Sequence, residues 1–468
     1  MADQPRRSPR AGRAGQSDRG PRRTDVDVAR LAALQVLKTV RVDDAYTNLV
    51  LPAVVSHFAL GPRDAAFVTE LASGSIRWRG TYDAVLGACI DRSLSKVEAK
   101  VLDVLRLGTH QLLAMRVPDH AAISTSVDLV RSTVSEGAAG FTNAVLRKVA
   151  AQDLESWIAQ VAPARERNPQ RHAEIAFSHP AWIVDELRKA LGAAELEALL
   201  AADNVPPKVT LVARPGRSTR DELPGTPTPY SPYGVTLEGG APGEVTAVAD
   251  GRAGVQDEGS QLVAAVLADA PLEGRDRTWV DLCAGPGGKA ALLAALAGER
   301  QATLLAIEAQ AHRARLVERA LRGSPGTVGV VTADGRTPPL AAGSVDRVLV
   351  DAPCSGLGAL RRRPEARWRR KPSDMVPLVL LQRTLLGAAL DLVRPGGVVL
   401  YATCSPITSE TTDLVSAVVG ARSDVVIEDA AGLLPGVPDC AGRLPGTLQL
   451  WPHRHNTDAM FMALLRKQ

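Results

Sequence analysis

Two cysteines, Cys354 and Cys404, stand in similar settings along the chain. Cys354 follows a proline in DAPCSGLGALRR, which begins at Asp351, and Cys404 lies in YATCSP, which begins at Tyr401. A thiol is useful when the carbon to be modified is not itself nucleophilic, as with C5 of a pyrimidine. A thiolate added at C6 makes C5 enamine-like, so C5 can attack a methyl sulfonium before the thiol is expelled. The alternative is that both are small buried hydrophobic residues.

The other three cysteines carry no predicted chemistry. Cys283 lies in a glycine-rich stretch, where it would pack or line a ligand site, and Cys89 and Cys440 lie far from any motif. Five cysteines with wide spacing and without a CxxC pair suggest neither a metal site nor a disulfide framework. We therefore expect a metal-free protein in a reducing, cytoplasmic compartment.

The glycine-rich stretch DLCAGPGGK, residues 281–289, follows an apolar β-like run and leads into a helical pattern. Its three glycines allow a tight turn and a close approach of the backbone to a ligand at the helix N-terminus. The spacing is not GxGxxG, which disfavours a dinucleotide, and Ala290 after Lys289 excludes a phosphate-binding loop. By itself the turn would serve NAD, FAD or S-adenosylmethionine, or only tight packing.

Carboxylates close four β-like runs of the same region. Asp281 precedes the glycine-rich turn, Glu308 ends LLAIEA, Asp334 ends VVTADG, and Asp351 ends VLVDAPC. Each alone is most simply a helix cap or a turn residue. If the four carboxylates lie along one sheet edge, Glu308 can accept hydrogen bonds from ribose hydroxyls, and Asp334 can meet an adenine edge. This acidic rim fits a cationic, adenosine-bearing cofactor without a pyrophosphate.

These residues can meet only if the fold brings strand ends together. After about residue 274, apolar β-like runs such as TWVDLCA, TLLAIEA, DRVLVDAPC and GGVVLYATC alternate with longer helical stretches. This alternation predicts a doubly wound parallel sheet, in which ligands bind at the carboxyl ends of the strands. The closing stretch WPHRHNTDAMFMALLRK predicts a last strand beside the sheet.

The earlier part of the chain is predicted to be mainly helical. Residues 25–165 show apolar residues at steps of three and four, which predicts a helical bundle. APARERNPQRH predicts a loop, and SHPAWIVDELRKALGAAELEALLAA a helix pair. Three strand-like pieces, KVTLVAR, GVTLEG and EVTAVAD, then precede a last helix, so residues 170–273 form a small α/β section. Residues 274–468 form the sheet domain.

Two expectations concern the surroundings of the protein. Residues 1–24 are rich in Arg, Gly, Pro and Ser, which predicts a disordered basic tail that binds nucleic acid or only aids solubility. The net charge of the chain is +4. We expect no membrane association, because no apolar run looks long enough to span a bilayer and no secretory signal is visible.

The run RRRPEARWRRK, residues 361–371, is dense in arginine and directly follows the Pro-Cys motif. Arginine pairs with phosphate, and ring or guanidinium planes stack on unpaired bases. We expect this run to contact RNA at the mouth of the site; the alternative is a solvated loop. The predicted contacts are Arg361, Arg362, Arg363, Arg367, Trp368 and Arg369.

Three motifs, DLCAGPGGK, DAPCSGLGALRR and YATCS, match in order and spacing those of the RNA (cytosine-5) methyltransferases. The helical part, with FTNAVLRK near its end, resembles the NusB-type RNA-binding fold. Together they are similar to the Sun/RsmB branch, the small-subunit rRNA m5C methyltransferases. The resemblance implies an N-terminal all-α NusB-like bundle, a small α/β connecting subdomain, and a C-terminal Rossmann-like S-adenosylmethionine methyltransferase domain with a doubly wound sheet.

The resemblance also implies roles for the candidate residues. Cys404 would be the nucleophile, Cys354 would assist product release, Asp351 would hydrogen-bond the cytosine and raise its electrophilicity at C6, and Lys289 would lie near the active centre. Residue order alone leaves the thiol roles open, since DNA cytosine-5 methyltransferases attack with the Pro-Cys thiol. The residues implied to hold S-adenosylmethionine are Cys283, Ala284, Gly285, Pro286, Gly287, Gly288, Lys289, Glu308, Asp334 and Asp351.

Two positions depart from the family pattern. Gly285 replaces an alanine, which we expect to be harmless, and the pair Glu410-Thr411 replaces an acid–asparagine pair after TCS. The implied function is methylation of a cytosine at C5 in small-subunit (16S) rRNA by a cytoplasmic monomer. Two alternatives stay open: a tRNA cytosine-C5 methyltransferase, which the helical domain disfavours, and an RNA-binding or antitermination factor whose methyltransferase half is inert.

Overall fold

The computed structural model describes residues 26–468, so the predicted tail of residues 1–24 lies outside the described part of the chain. Helices form the N-terminal part, as predicted. They are α1 (Val28–Val42), α2 (Thr47–His57), α3 (Pro62–Arg77), α4 (Arg79–Cys89), α5 (Ala99–Leu113), α6 (Asp119–Thr133), α7 (Glu136–Val149), α8 (Leu154–Val161), α9 (Pro169–Ala176), α10 (Ala181–Leu191) and α11 (Leu196–Ala202).

Helix α5 runs through the centre of this bundle, because all residues from Asp103 to Gln111 are buried. Its polar side chains therefore need partners inside the bundle. Arg106 donates to both carboxylate oxygens of Asp83, at 2.7 and 2.8 Å, and His110 Nδ1 lies 2.8 Å from the hydroxyl of Tyr82.

The stretch APARERNPQRH is not entirely a loop, because α9 begins within it at Pro169. Asn168 caps the helix by accepting a hydrogen bond from the backbone N–H of Arg171 at 2.9 Å, and proline is favourable at the first helical position. The prediction of a loop was therefore wrong for its last residues.

A four-stranded antiparallel sheet follows, with strand order β2-β3-β1-β4. Its strands are β1 (Thr210–Ala213), β2 (Thr226–Pro227), β3 (Gly234–Thr236) and β4 (Ala253–Val255). EVTAVAD was predicted as a strand but forms the short helix α12 (Thr246–Ala249). The chain reverses immediately afterwards at Gly251, whose positive φ of 70° lets it enter β4 directly.

The C-terminal domain holds an eight-stranded mixed sheet of order β10-β12-β9-β8-β5-β6-β7, with β11 paired to β12. The five strands β5 to β9 are parallel, as predicted, and β10, β11 and β12 pair antiparallel at one side. The strands are β5 (Thr278–Asp281), β6 (Thr303–Ile307), β7 (Thr327–Val331), β8 (Val345–Asp351), β9 (Val393–Thr403), β10 (Val425–Ile427), β11 (Leu448–Gln449) and β12 (Phe461–Lys467).

Helices cover both faces of this sheet, which confirms the doubly wound fold. Residues of β9 alternate between two cores: Leu400 packs in the core with α13 and α14, and Tyr401 packs in the core with α17 and α18. The helices are α13 (Glu258–Asp269), α14 (Gly288–Glu299), α15 (Ala311–Leu321), α16 (Ala366–Arg369), α17 (Met375–Leu392), α18 (Thr412–Gly420) and α19 (Pro452–His455).

Helix α17 corrects one expectation about apolar runs. The segment Pro372–Leu392 is long and apolar enough, by length and composition alone, to cross a membrane. Leu385, Leu386 and Leu390 on this helix are nevertheless buried in the same core as strands β8 and β9. Core helices of globular domains pass the same length and composition test.

Candidate active site

The two cysteines predicted to share one base lie side by side. Strands β8 and β9 are parallel neighbours, with Asp351 opposite Ala402, so the loops that follow them leave the same edge of the sheet. Cys354 lies in the first loop, Cys404 lies in the second, and their sulfur atoms are 3.5 Å apart. Both side chains are only partly buried. Two thiols in contact can therefore face one ligand.

An ion pair lies beside these thiols. Lys289, at the start of α14, donates to Asp351 Oδ2 at 2.9 Å, and both side chains are largely shielded from solvent. Burial alone would lower the pKa of Lys289, but the attraction of Asp351 and neighbouring acidic groups, including Cys404, outweighs it and raises that pKa. Lys289 is therefore protonated at neutral pH and places a positive charge beside the cysteines.

The two thiols have different environments. A hydrogen bond from the Cys354 thiol lowers the pKa of Cys404, and the positive charges of Arg363 and Lys289 add to this effect against burial and the charge of Asp351. The same hydrogen bond, together with burial, raises the pKa of Cys354. Cys404 is therefore the thiol that ionises first.

This difference predicts the pH dependence of alkylation. A lowered pKa means that Cys404 is a thiolate at lower pH than ordinary cysteine, so iodoacetamide should label Cys404 before Cys354 as the pH rises. Arg363→Met should raise the pH midpoint for Cys404 because one positive charge is lost. Peptide mass spectrometry over a pH series measures both midpoints.

Arg319→Met, on the exposed side of α15, is the control and should leave the midpoints unchanged. Labelling of Cys354 first, or an unchanged Cys404 midpoint in Arg363→Met, would contradict this assignment.

The glycine-rich turn forms a tight cradle at the end of β5. Gly287 has φ +111°, and a Cβ atom there would lie 2.7 Å from Ala320 Cβ, so only glycine fits between the turn and α15. Asp281 is buried, and its Oδ2 atom has no hydrogen-bond partner among the described residues. Burial, reinforced by the nearby Asp351, raises the pKa of Asp281 to about 7. A buried acceptor without a partner is the kind of group that a bound ligand satisfies.

Glu308 lies directly against this turn. Its carboxylate accepts hydrogen bonds from the backbone N–H groups of Gly285 and Gln310, both at 3.0 Å, and Arg313 donates to the Gly285 carbonyl at 2.5 Å. A Cβ atom at position 285 would lie 2.3 Å from Glu308 Oε2. The glycine at this position is therefore matched to the present placement of Glu308, and alanine would require the carboxylate to move.

Asp334 lies just beyond the end of β7. Arg336 donates to it at 2.5 Å, and this hydrogen bond lowers the pKa of Asp334. The next residue, Gly335, packs so closely that a Cβ atom there would lie 2.6 Å from the Leu282 carbonyl oxygen. The sheet edge thus brings Asp334 near the turn that holds Asp281 and near Glu308.

The arginine-rich run does not form the free basic surface that was predicted. Arg361 is buried and donates to Asn456 at 2.7 Å, and Arg362 pairs with Asp257 at 2.6 Å and with Asp458 at 3.2 Å. These two arginines are engaged inside the C-terminal domain. In this structure they are not available to RNA, because protein acceptors occupy them.

Arg367 and Trp368 lie in the junction with the helical domain. Arg367 is fully buried and donates to the carbonyls of Arg77, Ser178 and Asp203 at 3.2, 3.2 and 2.7 Å, and to Asn204 Oδ1 at 2.6 Å. The indole N–H of Trp368 donates to the Ile76 carbonyl at 2.7 Å. The predicted RNA contact is wrong for Arg367, because the tertiary fold uses its guanidinium to join the domains.

Arg363 and Arg369 remain partly exposed, and both lie against the ring of Tyr46. Their guanidinium carbons lie 5.4 and 4.3 Å from the centre of the Tyr46 ring, within the range of cation–π contact. Arg369 also pairs with Asp44, which is exposed. The turn between α1 and α2, which carries Asp44 and Tyr46, therefore contacts the segment that follows Cys354.

A cleft of about 550 Å³ opens at this junction, between helices α1, α3, α4 and α5 and residues 365–374. Its cationic lining residues are Arg41, Arg79, Arg106, Arg369, Arg370 and Lys371. Arg370 links the cleft to the cysteines, because it donates to the carbonyls of Ser355 and Cys354 at 2.9 and 3.3 Å.

Sequence reasoning missed two residues behind the cysteines. One is Arg370, which stands in the arginine-rich run but points at the Cys354 loop. The other is Glu410, which the sequence marked only as part of a departure from the family pattern, without a role; its buried carboxylate accepts hydrogen bonds from Ser355 and Ser405. A serine directly after each cysteine was the available signal. Over residues 26–468, no group of three or more His, Cys, Asp or Glu side chains could hold a metal ion.

Two family models match this chain. Residues 266–466 match the family described as 16S rRNA methyltransferase RsmB/F, and residues 27–151 match the NusB family. A Mycobacterium tuberculosis protein that carries a methyltransferase name, Rv1407, is 51% identical over 96% of this chain and 98% of its own length.

Two further likenesses extend over nearly the whole chain. The Bacillus subtilis protein named ribosomal RNA small subunit methyltransferase B is 30% identical over 93% of this chain and 98% of its own length. The crystal structure of PH0851 superposes with a TM-score of 0.76 at 22% identity, and it covers 94% of this chain and 98% of that one. The structural likeness supports the fold.

The fold and the family matches together define a methyltransferase with a NusB-type helical domain. The chain belongs to the RsmB/F family of 16S rRNA methyltransferases. The predicted family and fold class are therefore confirmed, and the roles of individual residues stay predictions.

Proposed function

We propose that this protein transfers a methyl group from S-adenosylmethionine to C5 of a cytosine in small-subunit rRNA, through a covalent bond between Cys404 and C6. The observation that carries the proposal is the contact of two thiols, 3.5 Å apart, beside the Lys289–Asp351 ion pair. Family membership gives rRNA as the substrate, because relatives of similar length are named for it.

Attack begins with the Cys404 thiolate, whose pKa is lowered by the Cys354 hydrogen bond and by nearby positive charge. Its sulfur forms a bond to C6, and the electron pair of the C5–C6 bond moves into the ring. The ammonium group of Lys289 stabilises the negative charge that develops there, in a shielded site where such an interaction is strong. Asp351 orients Lys289 and accepts a hydrogen bond from the cytosine ring edge.

Release reverses the first step. The proton at C5 leaves to a base, the electron pair re-forms the C5–C6 double bond, and the C6–S bond breaks to regenerate the Cys404 thiolate. Cys354 assists this step from contact distance. Its raised pKa keeps it protonated while Cys404 attacks, so the two thiols do not compete for the same carbon.

The end of the sheet fits S-adenosylmethionine. When bound, this cofactor supplies a methyl group on a positively charged sulfonium. Gly287 lets the turn pack tightly against α15 at the end of β5. Asp281 Oδ2, which has no hydrogen-bond partner among the described residues, offers an acceptor, and Glu308 is held in place for ribose hydroxyls. Asp334, on the neighbouring strand end, can meet the adenine edge. An acidic rim suits a cationic ligand.

Glu308→Ala should therefore weaken binding of S-adenosylmethionine about tenfold to a hundredfold, since two hydroxyl hydrogen bonds to a carboxylate are lost. Isothermal titration calorimetry without RNA measures the affinity. Glu318→Ala, an exposed acid on the adjacent α15, should bind like wild type. Unchanged affinity in a correctly folded Glu308→Ala protein would remove Glu308 from the cofactor site.

RNA enters from the junction cleft in this proposal. Lys371 offers positive charge on its wall, and the guanidinium groups of Arg363 and Arg369 lie against the Tyr46 ring. Contacts to phosphate of this kind position the substrate without reading its sequence. We expect the protein to act as a monomer in the cytoplasm.

The deciding experiment supplies purified protein and S-adenosylmethionine with naked 16S rRNA, small ribosomal subunits or total tRNA. Nucleoside mass spectrometry should find 5-methylcytidine in small-subunit rRNA only, and Cys404→Ala should give none. Product in tRNA alone would support the tRNA alternative. Tight cofactor binding without any methylated nucleoside would contradict the proposal, and absence of cofactor binding would support an RNA-binding factor with an inert half.

A further inference from the structure

Glu410 presents an unusual buried carboxylate behind the two cysteines. The side chain is fully buried, and four donors surround it. Oε1 accepts from the Ser355 backbone N–H at 2.8 Å and from Gln382 Nε2 at 2.9 Å. Oε2 accepts from the hydroxyls of Ser355 and Ser405, both at 2.5 Å. Since a carboxylate has only acceptor sites, it matches four donors better than other side chains do.

Three of these four donors belong to the residues that directly follow the cysteines. Ser355 follows Cys354 in the loop after β8, and Ser405 follows Cys404 in the loop after β9. The two hydroxyls also lie 3.0 Å from each other. A single carboxylate therefore ties together the two loops that carry the thiols.

The carboxylate is itself fixed to the body of the domain. Gln382 on α17 donates to both Glu410 and the Pro353 carbonyl, at 2.9 Å in each case, so α17 holds the same loop from behind. The hydroxyl of Tyr401, in strand β9, donates to the Glu410 carbonyl at 2.8 Å. These contacts leave the carboxylate little freedom to move.

Burying the Glu410 carboxylate costs free energy of solvation, and good packing alone does not explain why a carboxylate occupies this position. All four donors to the Glu410 carboxylate are neutral groups, and burial of a charged group without a cation is unfavourable unless its hydrogen bonds are complete. An apolar residue would fill the same space with less loss of solvation. The arrangement is therefore better explained by the geometry that it imposes on the two loops.

We propose that Glu410 is the positioning residue that keeps the sulfur atoms of Cys354 and Cys404 in contact, so that both can act on one base. The proposal rests on the proposed function for its purpose, but the geometric claim stands apart from it. Glu410 touches neither substrate nor cofactor in this role. It acts through Ser355 and Ser405.

The geometric claim can be tested without RNA or cofactor. Dibromobimane alkylates one thiolate with loss of bromide and then bridges to a second thiolate with loss of the other bromide, and its fluorescence reports the bridge. In wild type the second step should be fast because the thiols are held together. Glu410→Ala should slow bridging at least about tenfold relative to single alkylation. Cys354→Ser and Cys404→Ser proteins, which cannot bridge this pair, give the background.

Glu410→Gln separates hydrogen bonding from charge. Its carbonyl oxygen can accept from Ser355 N–H and Gln382, and its amide can donate to the two serine hydroxyls, so bridging should stay within about threefold of wild type. Asp413→Ala, an exposed acid in adjacent α18, is the control and should match wild type. If Glu410→Ala is poorly folded by thermal melting, Ser405→Ala removes one donor only and should give a smaller reduction in the same direction.

The outcomes separate this proposal from the proposed function. A folded Glu410→Ala or Ser405→Ala protein that bridges at the wild-type rate would overturn the positioning role. Slow bridging in Glu410→Ala with a normal rate in Glu410→Gln would support it, whichever RNA is methylated. In methylation assays the effect should fall on kcat, with KM for RNA unchanged, because Glu410 does not contact RNA.

Discussion

Cys404→Ser is expected to lose methyl transfer by a factor on the order of 10,000 or more, because a serine hydroxyl at neutral pH does not replace a thiolate that must add to C6. The same variant should form no protein–RNA adduct that survives denaturant. Radiolabelled S-adenosylmethionine with small-subunit rRNA measures the product, and denaturing electrophoresis measures the adduct.

Cys354→Ser is expected to give the opposite adduct result. Attack by Cys404 remains possible, but release is slowed, so the denaturant-stable adduct should accumulate while turnover falls. The Cys354→Ser, Cys404→Ser double variant should form none and serves as the control. If Cys404→Ser accumulates adduct and Cys354→Ser forms none, the Pro-Cys thiol is the nucleophile and the proposed roles are exchanged.

Arg367→Met is expected to destabilise the protein by about 3–5 kcal/mol, because each buried acceptor left without its donor costs about 1–3 kcal/mol. The guanidinium makes four hydrogen bonds across the domain junction, and its loss leaves the carbonyls of Arg77 and Asp203 and the side chain of Asn204 without that donor. Scanning calorimetry should show a lower melting temperature and separate transitions for the two domains.

The matched control is Arg383→Met, an exposed arginine on α17, which should change stability by less than about 0.5 kcal/mol. Equal melting curves for Arg367→Met and wild type would mean that the junction contributes little to the coupling of the domains.

Much of the C-terminal fold could be predicted from periodicity. The apolar runs that end at Asp281, Asp351 and Thr403 are strands buried on both faces, and such runs have few alternatives when long helical patterns separate them. The prediction of a strand for EVTAVAD was wrong, because the few β-branched residues there do not outweigh the chain reversal at Gly251.

The site was harder to predict than the fold. Motif order gave the strand ends that carry Cys354 and Cys404, and parallel pairing made their proximity an expectation. The RNA contacts predicted for the arginine-rich run were harder to judge, because composition does not show which arginines hydrogen-bond to protein acceptors in the fold. The acceptors of Arg367 come from Arg77, Ser178, Asp203 and Asn204, which only the tertiary fold brings together.

The buried hydrogen bond from Thr47 to Glu365, at 2.7 Å, has a consequence for protein synthesis. The two residues are 318 positions apart in the chain. At roughly 5–20 residues per second, the ribosome needs roughly 15–60 seconds to make the intervening segment. The helical domain can fold first, but its surface around Tyr46 and Arg77, which the later segment covers, stays exposed to solvent for that time. Nascent chains stalled between these points should therefore be the form that chaperones bind.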